Sequence, residues 1–335
     1  MAQQYGQWPL NICQYVPMEA GDATMAKATG IWRGPFGSYK NDRKTETAEE
    51  DIGTFSRQAL EFVTWNGITI PFPTGALNST QFPIVAQASM GKVTATGTGP
   101  YVRPFVAAVA DTPPALQYYG LRIGNKRAAA DVALIKFALC QEWELSGKQG
   151  ELWKLSSTWT APRAETGPLS TGVALAAFDP FVFAKSLFYI DDSGGTIGTT
   201  QKTGILLAAS IKWKTNVEWV PVGDGLLYPT AYKVGQPEIT FSLTYELEQD
   251  GANSQVALAR ARYEANNFGL FRLTLPSNGG AEMQIDWAGR YDGVSEYAKE
   301  GDTDTSVTFT GKAQYSPVDS LWFGVKHTSS MATIP

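Results

Sequence analysis

Carboxylates are the side chains that come closest to a catalytic arrangement in this chain. Glu142 and Glu144 lie close together in a run with strand character, and Asp292 lies in a second such run. A glycosidase needs only an acid and a base or nucleophile at a set separation. Acids on the water-facing side of a β-hairpin are, however, usually just hydrated. A carboxylate glycosidase is therefore one hypothesis for these residues, and a solvated strand face is the one we favour.

Other kinds of catalytic or metal site lack their ligands. His327 is the only histidine and lies near the C-terminal end, so a Ser-His-Asp or Cys-His system, or a histidine metal site, would depend on it alone. No glycine-rich loop carries the lysine and hydroxyl of a phosphate site, and the DDSGG run at 191–195 lacks the ordered ligands of a calcium loop. We expect a protein that is not an enzyme and that holds no cofactor or metal.

The composition indicates either burial against partners or a large aromatic core. Only 18% of the 335 residues are charged, whereas ten Trp, fourteen Tyr and sixteen Phe are present. Interface cores lose charge and gain aromatic residues, so both interpretations fit. The net charge of −5 and the absence of basic runs exclude a protein that grips nucleic acid through its phosphates.

Cysteine usage and hydropathy predict synthesis in a cytosol without membrane anchoring. Cys13 and Cys140 are the only cysteines, too few for a disulfide framework. The first residues carry neither the basic nor the apolar segment of a signal peptide. The most apolar stretch, 128–139, is interrupted by Asp131 and Lys136 and is too short to span a bilayer.

Strand patterns dominate the chain, which predicts a mainly β fold. Residues 239–248 alternate apolar and polar side chains without a break, as in a strand with one wet face. Further strands are expected at 152–159, 205–213, 268–275, 282–287 and 306–310.

Helices are expected in only three places. The clearest covers residues 252–265, a shorter one covers 82–90, and a third would begin at Asp179-Pro180, where Asp is a cap and Pro suits the first helical position.

The predicted elements occur twice in the same order, which indicates two tandem domains. The second half reads as a strand at 239–248, a helix, a strand at 268–275 and a hairpin at 283–315. The first half reads in the same order as a strand at 60–65, a short helix at 82–90, a strand at 101–107 and a hairpin at 132–162. The expected organisation is an N-terminal arm at 1–40, domains at 41–165 and 166–319, and a C-terminal tail at 320–335.

Several short strings, in order along the chain, resemble segments of tail tube proteins from long-tailed bacteriophages. They are EDIG at 50–53, EWELSG at 142–147, LFYIDD at 187–192 with IGTT at 197–200, and DGLLY at 224–228. The resemblance extends over roughly residues 47–315. Each string is weak alone, and their common order makes the similarity more specific.

The resemblance implies two tandem tail-tube-type β-sandwich domains, each with a flanking α-helix and a long β-hairpin that contributes to a ring-shaped inner barrel. With two domains per chain, three chains would form a pseudo-hexameric ring. Rings would stack into the tail tube, the conduit for genome ejection in the virion, after synthesis in the host bacterial cytoplasm. Other tail proteins would bind the tube ends, and viral DNA would pass through the lumen without specific binding.

Within that interpretation the hairpin acids acquire a role. Glu142, Glu144, Asp292 and Glu296 are candidates for the lumen surface, where they would repel DNA phosphates and let the DNA slide. The alternative is that they face the outside solvent.

Three tryptophans outside the hairpins are candidates for contacts between rings. Trp8, Trp32 and Trp322 lie in the expected arm and tail, and aromatic side chains dominate interface energetics. The main alternative function also rests on tryptophan, because a carbohydrate-binding β-sandwich stacks sugars on exposed indole rings.

Overall fold

The computed structural model describes residues 10–22, 24–47, 61–109, 112–247, 254–295 and 306–334. Strands make up 52% of the structure, mostly in one large antiparallel sheet. The predicted mainly β fold is therefore confirmed. Two α-helices occur in the described ranges, α1 (Phe82–Met90) and α2 (Gln255–Glu264), and both coincide closely with predicted helices.

The strands fall into two successive sets. The first set is β1 (Asn11–Met18), β2 (Gly30–Ile31), β3 (Lys40–Asn41), β4 (Lys44–Thr47), β5 (Glu61–Trp65), β6 (Ile68–Ala76), β7 (Tyr101–Val106), β8 (Tyr118–Asn125), β9 (Val132–Lys148), β10 (Lys154–Ala161) and β11 (Arg163–Gly167). The second set is β12 (Leu187–Asp192), β13 (Gln201–Lys202), β14 (Leu206–Lys214), β15 (Val217–Val220), β16 (Ala231–Val234), β17 (Glu238–Glu246), β18 (Gly269–Pro276), β19 (Glu282–Val294), β20 (Ser306–Ala313) and β21 (Phe323–Ser329).

The two sets share one pairing scheme. In the first set β1 pairs with β2 and β8, β3 with β6, β4 with β5, β6 with β10, and β9 with β8, β10 and β11. The same pairs recur in the second set. In this correspondence β12 to β17 take the places of β1 to β6, in order. Strands β18 to β21 take the places of β8 to β11, in order. Strand β7 has no counterpart among the described residues of the second half, and it pairs with β21.

This scheme matches different strands from those that sequence order suggested. The counterpart of β17 is β6 rather than the strand at 61–65, and the counterpart of β18 is β8 rather than β7. The difference arises because β4 and β5 form a small hairpin of their own, while β7 joins a strand of the other half. Order along the chain cannot reveal either partner choice.

Parts of the expected arm and tail are long strands of the sheets. Residues 11–18 form β1, which is buried along most of its length and pairs with β8. Residues 323–329 form β21, between β19 and β7. The helix expected at Asp179-Pro180 is wrong, because Pro180 and Phe181 make isolated β-bridges. The Asp179 carboxylate accepts hydrogen bonds from the Ser79 and Ser277 hydroxyls instead of capping a helix.

Strands β9 and β19 each change partners partway along their length. Up to about Phe137, which has a left-handed φ of 58°, β9 pairs with β8 and β11; beyond it β9 pairs with β10 and β14. Strand β19 pairs first with β18 and β21, and then with β20. The later parts of β9 and β19 belong to a continuous sheet, the eight-strand sheet, with the order β3–β6–β10–β9–β14–β17–β20–β19.

One face of the eight-strand sheet forms part of the core. Trp143 on β9 stacks on Trp213 of β14 with ring centroids 6.3 Å apart, and the edge of Phe82 from α1 meets it at 5.7 Å. The Trp143 indole N–H donates to the Ser89 hydroxyl near the end of α1. This buried face leaves the other face of the sheet to polar residues.

Candidate assembly surface

The second face of the eight-strand sheet is polar and rich in hydroxyl groups. Its side chains alternate with buried ones along every long strand, as the two-residue period of a strand requires. The hydroxyl residues of this polar face are Ser146, Ser156, Thr158, Thr160, Ser210, Thr240, Ser242, Thr244, Thr308 and Thr310.

Three of the four predicted acids lie together on this polar face. Glu142 and Glu144 belong to β9, and Asp292 is the bulged residue of β19 where the pairing with β20 shifts register. A Glu144 oxygen accepts from Ser210 at 2.7 Å, and an Asp292 oxygen accepts from Thr310 at 3.1 Å. Glu296 lies outside the described residues.

Lysines accompany the acids, so the polar face is of mixed charge. The Lys212 ammonium lies 3.0 Å from a Glu142 oxygen, and Lys214 lies directly opposite Glu142 on the neighbouring strand. Lys154 and Lys312 extend the same alternation on β10 and β20. The simple picture of an acidic face therefore does not describe this surface. The sequence alone does not show that these lysines lie beside the hairpin acids, because it does not show which strand pairs with β9.

The pairing of β9 with β14 joins the two halves and is called the seam. It runs from Lys148 opposite Ala208 to Glu142 opposite Lys214. Cross-strand pairs of opposite charge, such as Glu144 opposite Lys212, add modest stability. Beyond Lys214 the seam ends in a buried contact, where the Thr215 hydroxyl donates to the Cys140 carbonyl at 3.0 Å.

The counterparts of the two seam strands have open edges. Strand β3 corresponds to β14 and pairs only with β6. The later part of β19 corresponds to that of β9 and pairs only with β20 there. Among the residues that the structure describes, no strand lies along the outer edge of either one. An open edge presents unpaired N–H and C=O groups that can pair with another chain.

Trp32 and Trp322 are built into the fold. The Trp32 ring lies 4.8 Å from that of Phe72 in an edge-on contact. The Trp322 indole N–H donates to the Ala313 carbonyl at 3.3 Å. Both are half-buried, so either still offers a partial surface for contact. Trp8 lies outside the described residues.

The remaining tryptophan side chains that are described offer no platform for sugar stacking. They are buried in the core: Trp143, Trp153, Trp159, Trp213, Trp219 and Trp287. Six of the ten tryptophans that motivated the carbohydrate-binding alternative are thus taken up by packing.

A groove of about 770 Å³ lies at one end of the seam. Its floor includes Trp213 and Ile239, and its wall includes Trp322. At the rim, Val109 and Tyr315 are 55% and 41% exposed. The groove is lined mainly by apolar surface and holds no convergent set of catalytic groups.

Several strings that carry the family resemblance have clear structural roles, whereas EDIG at 50–53 lies outside the described residues. The Asp191 carboxylate accepts hydrogen bonds from the backbone N–H groups of Gly198, Thr199 and Thr200, so LFYIDD and IGTT form one clamped loop. Asp224 accepts in the same way from the N–H of Leu226 at 3.1 Å. These contacts stabilise the turns at both strings.

Within the described ranges, no helix has the length and apolar character needed to cross a membrane, and no group of three or more His, Cys, Asp or Glu side chains is placed to hold a metal ion. No protein family and no curated protein matches the sequence.

Proposed function

We propose that the chain is a structural subunit that joins copies of itself into a closed ring and that these rings stack into a tube. The single observation that carries the proposal is the seam. It joins the first half of the chain to the second through two strands, and the counterparts of those strands each have one open edge among the described residues. Each chain therefore carries both sides of a second, equivalent seam.

A seam between chains would be a head-to-tail contact. Such a contact uses two different surfaces, and repeated copies make a closed ring if the rotation closes or a filament if it does not. Under this proposal the two halves are tandem β-sandwich domains of the tail tube type. The ring number of three chains, with six similar halves, comes from the resemblance to tail tube proteins.

The pairing register within the chain predicts the register between chains. The bulge between Cys140 and Glu142 on β9 corresponds to the bulge on β19, so Glu144 corresponds to Ser295. On the other side, Lys212 opposes Thr240 as Lys40 opposes Thr69. Because Glu144 and Lys212 are partners in the seam, Ser295 of one copy would lie opposite Lys40 of the next.

The polar face would line the lumen of the ring. Its hydroxyl groups and mixed charges would give DNA little to bind, because affinity for a phosphate backbone needs a clear excess of positive charge. This supports a conduit through which viral DNA passes without specific binding. Other tail proteins would then cap the two ends of the tube in the virion, and the chain would carry out no catalysis.

A disulfide trap tests the intermolecular seam. The variant with Ser295→Cys and Lys40→Cys places thiols at two exposed positions, and directly opposed strand residues lie within disulfide range. After mild oxidation, we expect a non-reducing gel to show a ladder of linked chains that ends at three. Both native cysteines are buried, so they should not contribute.

Matched controls make the result decisive. The variant with Glu144→Cys and Lys212→Cys should form the equivalent bond inside one chain and give no ladder. Each single variant should also give no ladder, and Ser295→Cys alone accounts for the lost hydrogen bond to the Thr308 N–H. The proposal fails if the internal control oxidises fully while the test variant stays monomeric.

A further inference from the structure

The groove at one end of the seam exposes apolar side chains to water, and this exposure is unfavourable in an isolated monomer. Its lining includes Ala313 and Ile239, which lie at the same end of the eight-strand sheet as Lys214. Val109 and Tyr315 line its mouth. A groove of this size lies within the roughly 300–1,000 Å³ that bound groups usually occupy.

The opposite end of the seam carries an exposed apolar ridge, defined as residues 175–178. Asn78 bridges to Pro180, and Leu152 bridges to Val182, so this connection between the halves crosses the turn that joins β9 to β10. Leu175 and Phe178 are 52% and 51% exposed on it.

Local contacts fix the ridge in place. The Asn78 side-chain amide donates to the Ala177 carbonyl at 3.0 Å, and the Arg33 guanidinium lies 5.8 Å from the centre of the Phe178 ring. These contacts hold the backbone and the Phe178 ring of the ridge in position, while Leu175 and Phe178 stay exposed. Neighbouring exposed apolar side chains of this size are typical of interaction sites.

Ridge and groove lie at opposite ends of the same strands. Lys148 and Ala208 pair near the ridge, whereas Glu142 and Lys214 pair near the groove. Copies stacked along the strands would therefore bring the ridge of one copy towards the groove of the next. The Glu238 carboxylate at the groove lies 3.7 Å from the Lys214 ammonium, and Lys312 also lines the groove, so apolar contact rather than charge would hold the ridge there.

We propose that the ridge of one copy seats in the groove of a second copy in the next ring. This contact rests on the proposed function, since it uses rings built through the seam. It is again head-to-tail, and it does not close, so it would extend rings into a tube. The partner is a second copy of this chain, and the contact is distinct from the strand edges that close each ring.

Two complementary variants test the contact. Leu175→Asp with Phe178→Asp removes the ridge, and Val109→Asp with Tyr315→Asp removes the groove, while neither changes a residue on the open edges of β3 and β19. Leu258→Asp is the matched control, because Leu258 is an exposed apolar residue on α2, away from ridge and groove. Particle mass and negative-stain images are recorded for each variant, and circular dichroism checks its fold.

Each variant alone should form rings of three chains and no tubes, and the control should form tubes like the unchanged protein. An equal mixture of the two variants retains one intact ridge and one intact groove, so it should give pairs of rings with six chains and nothing longer. Tubes formed by either variant, or a mixture that stays as single rings, would overturn the ridge and groove contact and leave the ring intact. A protein that forms no rings at all would overturn the proposed function as well.

Discussion

Single glycines and carboxylates set the backbone at the points where strands turn or meet. A Cβ atom on Gly147 would lie 2.5 Å from Phe183 and 2.7 Å from Trp153, so the glycine of the EWELSG string lets the turn end of the seam approach the core. Gly198 has a left-handed φ of 83° and donates its N–H to Asp191. Burial alone would raise the pKa of the Asp191 carboxyl. The hydrogen bonds that this carboxylate accepts from Thr200, Gly198 and Thr199 outweigh the effect of burial, so its pKa is lowered overall.

We expect His327 to make the stability of the protein depend on pH. It is fully buried, and burial, aided by the nearby Arg103 charge, lowers its pKa from 6.5 to about 4. Below pH 6.5 the unfolded chain therefore binds a proton that the folded chain refuses. The free energy of unfolding should fall between pH 6.5 and pH 4 by about 3 kcal/mol from this residue, since each pKa unit corresponds to about 1.4 kcal/mol.

The variant His327→Gln measures this contribution. Urea unfolding from pH 7.5 to pH 4 should show a shallower loss of stability for the variant than for the unchanged protein, with the difference confined to the window between the two pKa values. Equal pH slopes in both proteins would show that His327 titrates alike in the folded and unfolded chain.

At the scale of elements, the seam is a strand pair with opposite charges on its polar side and tryptophans on its buried side. Glu144 opposes Lys212, and Glu142 opposes Lys214. The Glu142 and Lys212 side chains are each about one-third or more exposed, so water screens their attraction and the pair contributes only about 0–1 kcal/mol. Burial of Trp143 and Trp213 on the other side must supply most of the stability of the seam.

Charge reversal across the seam is the matching prediction. Glu142→Lys alone and Lys212→Glu alone should each lower the free energy of unfolding by about 0.5–1 kcal/mol, because each creates a like-charge contact. The double variant should regain part of that loss in a urea double-mutant cycle. A double variant as unstable as the sum of the single ones would show that the two side chains do not interact.

The sequence predicts elements that have one buried apolar face and one exposed polar face. It does not predict elements whose two faces are similar in polarity. Strand β17 alternates inside and outside residues, and α1 ends at a glycine, so both are recognisable. Strand β1 is buried on both faces, which removes the alternation. Strand β21 turns His327 and Ser329 inward along with Phe323 and Val325, so half of its buried side is polar and its position in the sheet was not expected.

The candidate site was predictable only in part, for a related reason. Periodicity placed Glu142, Glu144 and Asp292 on wet strand faces, and the structure brings these faces together. Periodicity could not identify Lys212 as a partner of these acids, because pairing between distant strands leaves no mark on the local pattern. The open edges of β3 and β19 were hidden in the same way, since an edge is defined by strands that are missing beside it.

At the scale of the whole molecule, two kinds of head-to-tail contact are proposed, and they run in different directions. Open strand edges at β3 and β19 would close a ring, and the ridge and groove would stack it. Both follow from a chain whose halves share one pairing scheme and meet at one seam. The polar face would then become continuous around the lumen, with hydroxyl groups and opposite charges interleaved.

A cross-section of the assembled particle tests the central claim most directly. Electron cryomicroscopy of protein concentrated enough to assemble should give end-on averages of a closed ring with three chains, six similar lobes and a central channel lined by the eight-strand sheets. The lobes should alternate between two slightly different shapes, one for each half. A ring of any other number of chains, or a particle that stays monomeric at every concentration in low and high salt, would contradict the account.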